Sequence, residues 1–269
     1  IGISIALSIK QIDPSLRVAV FEKENDFGVH ASGRNSGVLH AGFYYSPDSL
    51  KAKFCVDGNT QLRKFAFDNG VSLRETGKVV VAKNALESKR LDTLYQRGLL
   101  NGVNVKLLDA SELKHFEPLA ITFEKFLWSP NTAVSDPRAI MKMMVKKCNQ
   151  LGIELFSGEK VNVTEKLKLF VGDQEIKYRH FVNCAGVNSP GIARKFGLAN
   201  EYALVPFVGL YNYVPSARIP LRTLVYPVPH EVNPFLGVHF TLTTNSEVKI
   251  GPTAIPAFGH EQYKVFSKL

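Results

Sequence analysis

The sequence predicts an α/β protein built from two domains. One is a discontinuous domain with a parallel α/β arrangement, and the other is an α+β domain of mostly antiparallel sheet. Three observations support this prediction. The chain opens with a helical pattern followed by a buried strand, as in a βαβ unit. Helices and strands then alternate up to about residue 200, and from residue 202 onward short strands with many prolines follow.

The first element is a helix of small and apolar residues that Asp13 and Pro14 end. Residues 17–22 then form a buried strand whose last residue is Glu22. In a dinucleotide-binding βαβ unit, the third glycine allows close helix–strand packing, and an acidic residue about 20 positions later binds the ribose hydroxyls. Gly2 and Glu22 match these two roles, although a plain helix–strand pair would match as well. The preceding strand and the first two glycines are absent, so we expect a truncated start.

The segment at residues 28–42 combines many glycines with hydroxyl, amide and guanidinium groups. Its backbone N–H groups and Ser32 could bind a phosphate, and Arg34 could balance the phosphate charge. Glycine would let the backbone lie close to a flat ring. The alternative is a polar surface loop that is hydrogen-bonded to itself.

Several further elements follow from local patterns. A serine cap at Ser46 predicts the start of a helix that ends near Asn69. The remaining predicted elements are a strand at 78–82, a charged helix at 86–101, a capping box beginning at Asp109, a helix from Asp136 to about 151, and a strand at 181–186.

The strand at 181–186 ends in Ala185 and Gly186. Such an ending would bring backbone close to a ligand at the carboxyl edge of a sheet, where nucleotides bind in this class of fold. Within this strand we expect Cys184 to be a buried small hydrophobe rather than a reactive thiol.

Composition narrows the functional classes. The formal net charge of +9 favours anionic partners, but lysines and arginines are scattered and no nucleic-acid-binding motif accompanies them, so we predict no nucleic-acid partner. The three cysteines lie far apart, form no metal-ligand spacing or disulfide framework, and fit a reducing, cytoplasmic setting. We therefore predict no metal site.

These segments, in this order and spacing, resemble the FAD-dependent oxidoreductases of the D-amino-acid oxidase superfamily. Four strings are similar to the L-2-hydroxyglutarate oxidase/dehydrogenase branch: residues 34–45, 49–55, 226–229 and 234–241. The resemblance implies a Rossmann-like FAD-binding domain and a substrate domain. The predicted FAD-binding segments are 1–76 and 132–200, and the predicted substrate segments are 77–131 and 201–269. It also implies that the chain lacks both ends of the family, so we expect this fragment alone to be inactive.

The resemblance implies FAD as the cofactor and oxidation of a 2-hydroxy acid, first of all L-2-hydroxyglutarate, to the 2-oxo acid. Electrons would pass to oxygen or to a quinone pool, in the cytoplasm or peripherally at the inner membrane face. The residues predicted to contact FAD are Gly2, Glu22, Lys23, Ser32, Arg34, Asn35, Ser36, Gly37, Val38, Ala185 and Gly186.

Proton transfer in such a reaction needs a base near neutral pH, and we select His40 and His239 as catalytic candidates. The alternative is that each is a structural hydrogen-bond partner. Tyr44, Tyr45 and Lys51 are candidates for contact with a substrate carboxylate, although Tyr45 could simply pack.

One departure from the family affects the substrate. Where the family has Pro-Phe-Arg-Gly and then an acidic residue, this chain has Val208 in place of the arginine and Leu210 in place of the acid. Two other functions therefore stay open: an amine or amino-acid oxidase on the same fold, and a catalytically silent FAD-binding protein.

Overall fold

A computed structural model describes residues 1–164, 168–230 and 237–263. The chain divides into two compact units, which are described separately below. The first unit contains Ile1–Asn35, Pro137–Val208 and the segment from Pro256 onward, and the second contains Ser36–Asp136 and Gly209–Ile255.

The regular elements are as follows. The α-helices of the described residues are α1 (Gly2–Ile12), α2 (Leu50–Asp68), α3 (Ala85–Leu100), α4 (Leu113–Phe116), α5 (Pro137–Gln150) and α6 (Ser189–Lys195), with 3-10 helices at Ala110–Glu112 and Gly186–Asn188. The strands are β1 (Ala19–Glu22), β2 (Val38–Leu39), β3 (Leu73–Glu75), β4 (Lys78–Val81), β5 (Lys106–Asp109), β6 (Lys125–Ser129), β7 (Ala133–Ser135), β8 (Glu154–Ser157), β9 (Val161–Val163), β10 (Leu169–Val171), β11 (Gln174–Ile176), β12 (Phe207–Val208), β13 (Asn212–Pro215), β14 (Leu224–Pro227), β15 (His239–Leu242), β16 (Glu247–Gly251) and β17 (Ile255–Pro256).

In the first unit, β1 and β8 pair in parallel. The chain between them contains the Ser36–Asp136 segment of the second unit and then α5, which directly precedes β8. Ile3 and Leu7 of α1 pack with Cys148 of α5 and with Ile153 in one apolar cluster. The rings of Phe21 and Phe156 stack at 4.8 Å between centroids across the two strands. A separate antiparallel meander is formed by β9, β10 and β11.

The second unit is built on a seven-stranded sheet with the order β13-β16-β15-β14-β4-β6-β5. Its neighbouring strands are antiparallel except for β14 and β4, which pair in parallel. A smaller antiparallel sheet has the order β2-β7-β3. The main core of this unit includes Phe43, Val80, Leu127, Leu224 and Tyr226. The α/β class with a mostly antiparallel second sheet is therefore confirmed.

The helix predicted to start at Ser46 starts later. Ser49 is the N-cap of α2, and its hydroxyl accepts a hydrogen bond from Ala52 N at 3.2 Å. The hydroxyl of Ser46 instead donates to Asp48 Oδ1 at 2.5 Å, which forms a turn before the helix. The capping box at Asp109 is confirmed, with reciprocal bonds between Asp109 and Glu112.

The strand predicted at 181–186 is wrong. These residues pair with no strand of the described part of the chain, and Cys184 is exposed rather than buried. An apolar run becomes a strand only where a neighbouring strand completes its backbone hydrogen bonds, and local sequence does not supply that neighbour.

The compact units differ in extent from the predicted domains. Residues 36–76 and 132–136 were predicted in the FAD-binding domain but lie in the second unit, where they form the small β2-β7-β3 sheet. Residues 201–208 and the segment from Pro256 onward were predicted in the substrate domain but lie in the first unit. The division by function into FAD-binding and substrate domains stays a prediction.

Candidate functional site

A buried lysine surrounded by aromatic rings forms the centre of a candidate site in the second unit. The Nζ atom of Lys78 lies 4.6 Å from the ring centroid of Phe43, 4.5 Å from that of Tyr44 and 4.8 Å from that of Tyr226. The side chain is fully buried. Two histidines complete the group through ring contacts with Tyr226. We call it the Lys78 cluster; its members are His40, Phe43, Tyr44, Lys78, Tyr226 and His239.

The register of the large sheet brings these residues together. Leu224 of β14 lies opposite Lys78 of β4, so the central strands bring the lysine close to Tyr226, two residues further along β14. Val225 pairs with Phe240 of β15, which makes Tyr226 the cross-strand neighbour of His239. Their rings stack at 3.9 Å with an interplanar angle of 21°.

A glycine fixes the start of the strand that carries the lysine. Gly77 has φ +62°, and a Cβ there would lie 2.0 Å from Cη2 of Trp128. Its backbone N–H donates to the carbonyl oxygen of Thr132 at 2.9 Å. Only glycine combines this left-handed conformation with so close a ring, so the indole can lie against the strand directly before Lys78.

Burial controls the protonation of the cluster. Desolvation lowers the pKa of the Lys78 amine to about 7. The pKa of His40 is lowered to about 3, first by desolvation and then by the charges of Lys78 and His239. Desolvation also lowers the pKa of His239. Both imidazoles are therefore neutral at neutral pH, which is the form that can accept a proton.

The tautomer of His239 follows from its hydrogen bond. Its Nδ1 lies 2.9 Å from the carbonyl oxygen of Gly237. A carbonyl can only accept, so Nδ1 carries the proton of the neutral ring and Nε2 carries the lone pair. His40 contacts the edge of the Tyr226 ring, with 6.4 Å between centroids, and is partly exposed. Both catalytic candidates thus lie in one cluster, and His239 has the geometry of a proton acceptor.

The substrate candidates separate in space. Tyr44 belongs to the Lys78 cluster, and its hydroxyl is buried. Tyr45 and Lys51 are exposed and contact each other, with Lys51 Nζ 5.9 Å from the Tyr45 ring centroid. Of these three residues, only Tyr44 is retained as a candidate for contact with the substrate.

Sequence reasoning missed Lys78 and Tyr226. A signal was present for Lys78, since a lysine preceded by glycine opens the apolar run Val79–Ala82, where alternation predicts that it faces the core with Val80. For Tyr226 no local signal exists, because an aromatic residue in a strand is ordinarily part of the core.

In the first unit, the start of α1 lies against the segment that leads to Ala185 and Gly186. A Cβ at Gly2 would lie 3.3 Å from Cβ of Cys184. The first amides of an α-helix have no partner within the helix and attract anions. Glu22 is the last residue of β1, and its Oε1 accepts from Glu24 N at 3.1 Å. The structure thus brings Gly2 next to Cys184, which directly precedes Ala185 and Gly186.

The glycine-rich loop is largely hydrogen-bonded to itself. Arg34 Nε donates to the carbonyl of Val29 at 2.8 Å, and the guanidinium lies 4.1 Å above the Tyr263 ring. Asn35 Nδ2 donates to the carbonyls of Ala31 and Ser32 at 3.2 and 2.9 Å. Arg34 and Asn35 therefore shape this loop, as the surface-loop alternative described, while Ser32 lies partly buried within it.

The next three FAD candidates fall in the second unit. Ser36 Oγ accepts from Val38 N at 3.4 Å. The carbonyl of Gly37, which has φ +79°, accepts from the backbone N–H and the hydroxyl of Ser135 at 2.8 and 3.2 Å. These bonds join the beginning of β2 to the end of β7.

An ion-pair network surrounds Lys23. Its Nζ lies 2.5 Å from a carboxylate oxygen of Glu24 and 2.8 Å from one of Glu261. His30 Nε2 contacts Glu24 at 2.9 Å, and the ligand atoms of Glu24, His30 and Glu261 all lie within 4.8 Å of one another. Because the lysine ammonium already pairs with both carboxylates, it would repel a metal ion there. We interpret the group as an ion-pair network.

Comparison with known proteins gives evidence on the family of this chain. The family model described as FAD dependent oxidoreductase matches residues 1–267.

The chain belongs to the FAD dependent oxidoreductase family. It is 36% identical over 271 residues to the L-2-hydroxyglutarate dehydrogenase of Indibacter alkaliphilus, covering 98% of this chain and 68% of that protein. It is 35% identical over 278 residues to the mitochondrial L-2-hydroxyglutarate dehydrogenase of Caenorhabditis elegans, covering 99% of this chain and 64% of that protein. The chain thus spans about two thirds of the length of these relatives.

Among solved structures, the dithionite-reduced L-alpha-glycerophosphate oxidase from Mycoplasma pneumoniae with FAD bound is similar. The TM-score is 0.77 at 21% identity, and the match covers 96% of this chain and 70% of that one. This likeness shows the fold. Within the described residues, no helix is both long and apolar enough to span a bilayer.

The first unit fits the cofactor of the family. Gly2 allows close approach at the start of α1, whose amides suit a pyrophosphate, and Glu22 at the end of β1 suits ribose hydroxyls. Gly186 has φ +57° and is the first residue of a short 3-10 helix, so its backbone N–H can lie close to a ligand. These residues would hold the dinucleotide part of FAD.

Proposed function

We propose that the full-length protein is an FAD-dependent oxidoreductase that oxidises a 2-hydroxy acid to the 2-oxo acid, with L-2-hydroxyglutarate as the first candidate. The observation that carries the proposal is His239, a neutral imidazole whose Nδ1–H is held by a carbonyl while Nε2 is ready to accept a proton. The names of the two relatives, at 35–36% identity, support the choice of substrate.

In this proposal the cofactor and the side chains have separate roles. When bound, FAD supplies the hydride acceptor for the alcohol carbon. His239 Nε2 takes the proton of the substrate hydroxyl, and the stacked Tyr226 ring fixes the plane of the imidazole. Gly2, Glu22 and Gly186 hold the dinucleotide.

The neutrality of the histidines matters for this chemistry. A protonated imidazole cannot accept the hydroxyl proton, and burial beside the Lys78 amine disfavours protonation of His40 and His239. The low histidine pKa values therefore keep the base in its active form down to mildly acidic pH.

The departure from the family at Val208 and Leu210 bears on the substrate. Val208 is buried in β12, and the backbone N–H of Leu210 donates to Thr253 Oγ1 at 3.1 Å. Neither side chain offers a charge to a substrate carboxylate. If the family arginine at the position of Val208 binds that carboxylate, another cation must do so here.

The test is anaerobic reduction of the flavin in the protein expressed from the complete reading frame. We expect L-2-hydroxyglutarate to bleach the absorption band of the oxidised flavin and the D enantiomer to leave it unchanged. Bleaching by an amine or amino acid but not by the hydroxy acid would transfer the assignment to an amine oxidase. A flavin that no such compound reduces would indicate a silent FAD-binding protein.

We further propose that electrons leave to oxygen or to a quinone, and that the protein is cytoplasmic with peripheral contact at the inner membrane face. Reoxidation rates of the reduced flavin with oxygen and with a soluble quinone distinguish the two acceptors. Co-sedimentation with vesicles tests the membrane contact.

A further inference from the structure

Two polar atoms in the Lys78 cluster are buried without a hydrogen-bond partner. They are the Nζ of Lys78 and the Oη of Tyr44, and neither has an acceptor or donor within the described residues. Leaving a buried donor unsatisfied ordinarily costs about 1–3 kcal/mol, and more for a charged group, so native proteins rarely tolerate two beside each other. The Tyr44 ring centroid lies 4.5 Å from the amine, which places both orphan groups in one small region.

Among the described residues, no carboxylate faces the amine. The titratable groups facing Lys78 are Tyr44 and His40 from the loop after β2, Cys55 from α2, Tyr226 from β14 and His239 from β15. Burial raises the pKa of both tyrosines and of the cysteine thiol above their ordinary values. None of these groups is therefore negative at neutral pH.

A group that satisfies both atoms must accept hydrogen bonds, and a negative charge on it would stabilise the protonated amine. A carboxylate does both, since its two oxygens are acceptors only, and one can bind the ammonium while the other binds the tyrosine hydroxyl. The rings of Phe43, Tyr44 and Tyr226 stabilise the cation through their faces but offer no acceptor in line with its N–H bonds. His40 and Tyr44 are the members of the cluster that are partly exposed.

We propose that Lys78 and Tyr44 bind one carboxylate of the substrate within the Lys78 cluster, so that Lys78 is a substrate-binding residue for an anionic hydroxy acid. This inference rests on the proposed function.

Binding should be coupled to proton uptake. With a pKa of about 7, the free amine is mostly neutral at pH 8. A bound carboxylate favours the charged form and raises that pKa, so the complex takes up a proton when it forms above pH 7. Below pH 7 the amine is already protonated and the uptake disappears.

The experiment uses the full-length, FAD-loaded protein and glutarate, an unreactive dicarboxylate, as the probe. Calorimetry at pH 8 in two buffers of different ionisation enthalpy gives both the affinity and the number of protons taken up. We expect the wild type to take up a proton, and Lys78→Met to lose that uptake and bind glutarate about 10- to 100-fold more weakly, as expected for a lost charged hydrogen bond. Lys53→Met, which removes an exposed lysine of α2, is the matched control and should behave as wild type.

Tyr44→Phe keeps the ring and removes only the unpartnered hydroxyl, so it tests the site without disturbing the packing. We expect about 5- to 10-fold weaker binding with proton uptake retained. Equal affinity for glutarate in wild type and a folded Lys78→Met would overturn the proposal. If Lys78→Met does not fold, an unchanged affinity in Tyr44→Phe together with no proton uptake by the wild type would overturn it equally.

The two proposals fail in distinguishable ways. Lys78-dependent glutarate binding without flavin reduction by L-2-hydroxyglutarate would keep the carboxylate site and remove the hydroxy-acid activity. If L-2-hydroxyglutarate reduces the flavin but glutarate binds equally well with and without Lys78, the hydroxy-acid activity stands and the carboxylate site at Lys78 is excluded.

Discussion

Replacing Lys78 by methionine should make the protein more stable at neutral pH. The amine is fully buried, and its pKa falls from 10.5 to about 7 because burial disfavours the charged form. In the unfolded chain the amine regains the higher pKa, so the unfolded state binds more protons between these two values. Each unit of difference is worth about 1.4 kcal/mol, which gives a cost of folding of about 4 kcal/mol at pH 7.

The sign of the pH dependence follows from the same pKa. Because the unfolded state holds the extra proton, the destabilisation is complete below the folded-state pKa of about 7 and is relieved as pH rises toward 10.5. Methionine has no titrating group and keeps an unbranched chain of similar volume. The stability advantage of Lys78→Met should therefore be largest below pH 7 and shrink steadily toward pH 10.

The assay is urea unfolding of the wild type, Lys78→Met and the exposed control Lys53→Met at several pH values from 6 to 10. Differences between the proteins cancel the titration of all other groups. A Lys78→Met protein that is less stable than wild type at pH 7, or whose advantage does not change with pH, would refute the reasoning. The expected result would also show that Lys78 lowers the free energy of unfolding at a position proposed to bind substrate, as is common at functional positions.

Two further predictions follow from the geometry around the cluster. Gly77→Ala should lower the free energy of unfolding by about 2 kcal/mol or more, because its Cβ would lie 2.0 Å from Trp128 at a φ of +62°. Gly70→Ala, at φ +65° with no atom within 4 Å, isolates the backbone contribution, and equal losses in both variants would contradict the steric explanation. His239→Asn should slow flavin reduction by the hydroxy acid at least about 100-fold while leaving flavin content unchanged, as measured by stopped-flow absorbance; a rate within a few-fold of wild type would exclude His239 as the base.

Local sequence patterns predicted the elements whose hydrogen bonds close within a few residues. The helix at Gly2–Ile12 and the capping box at Asp109 are of this kind. The strand at Ala19–Glu22 was also predicted from its local apolar run, although its partner β8 lies far along the chain. The resemblance to a family added the cofactor class, and the match over residues 1–267 confirmed the family. His40 and His239 could be selected because imidazole titrates near neutral pH and, when neutral, can accept the proton of a reacting hydroxyl.

Tertiary structure decided the rest. Lys78, Tyr226 and His239 come together only because β14 pairs with β4 on one side and with β15 on the other, and β4 lies about 150 residues before β14 in the chain. Likewise, the run that ends in Ala185 has strand composition but no pairing partner in the described residues. Hydrogen-bond partners, burial and the resulting pKa shifts depend on which distant segments become neighbours. The sequence alone identifies the chemical groups of each side chain. Tertiary packing determines which side chains are buried and which become neighbours.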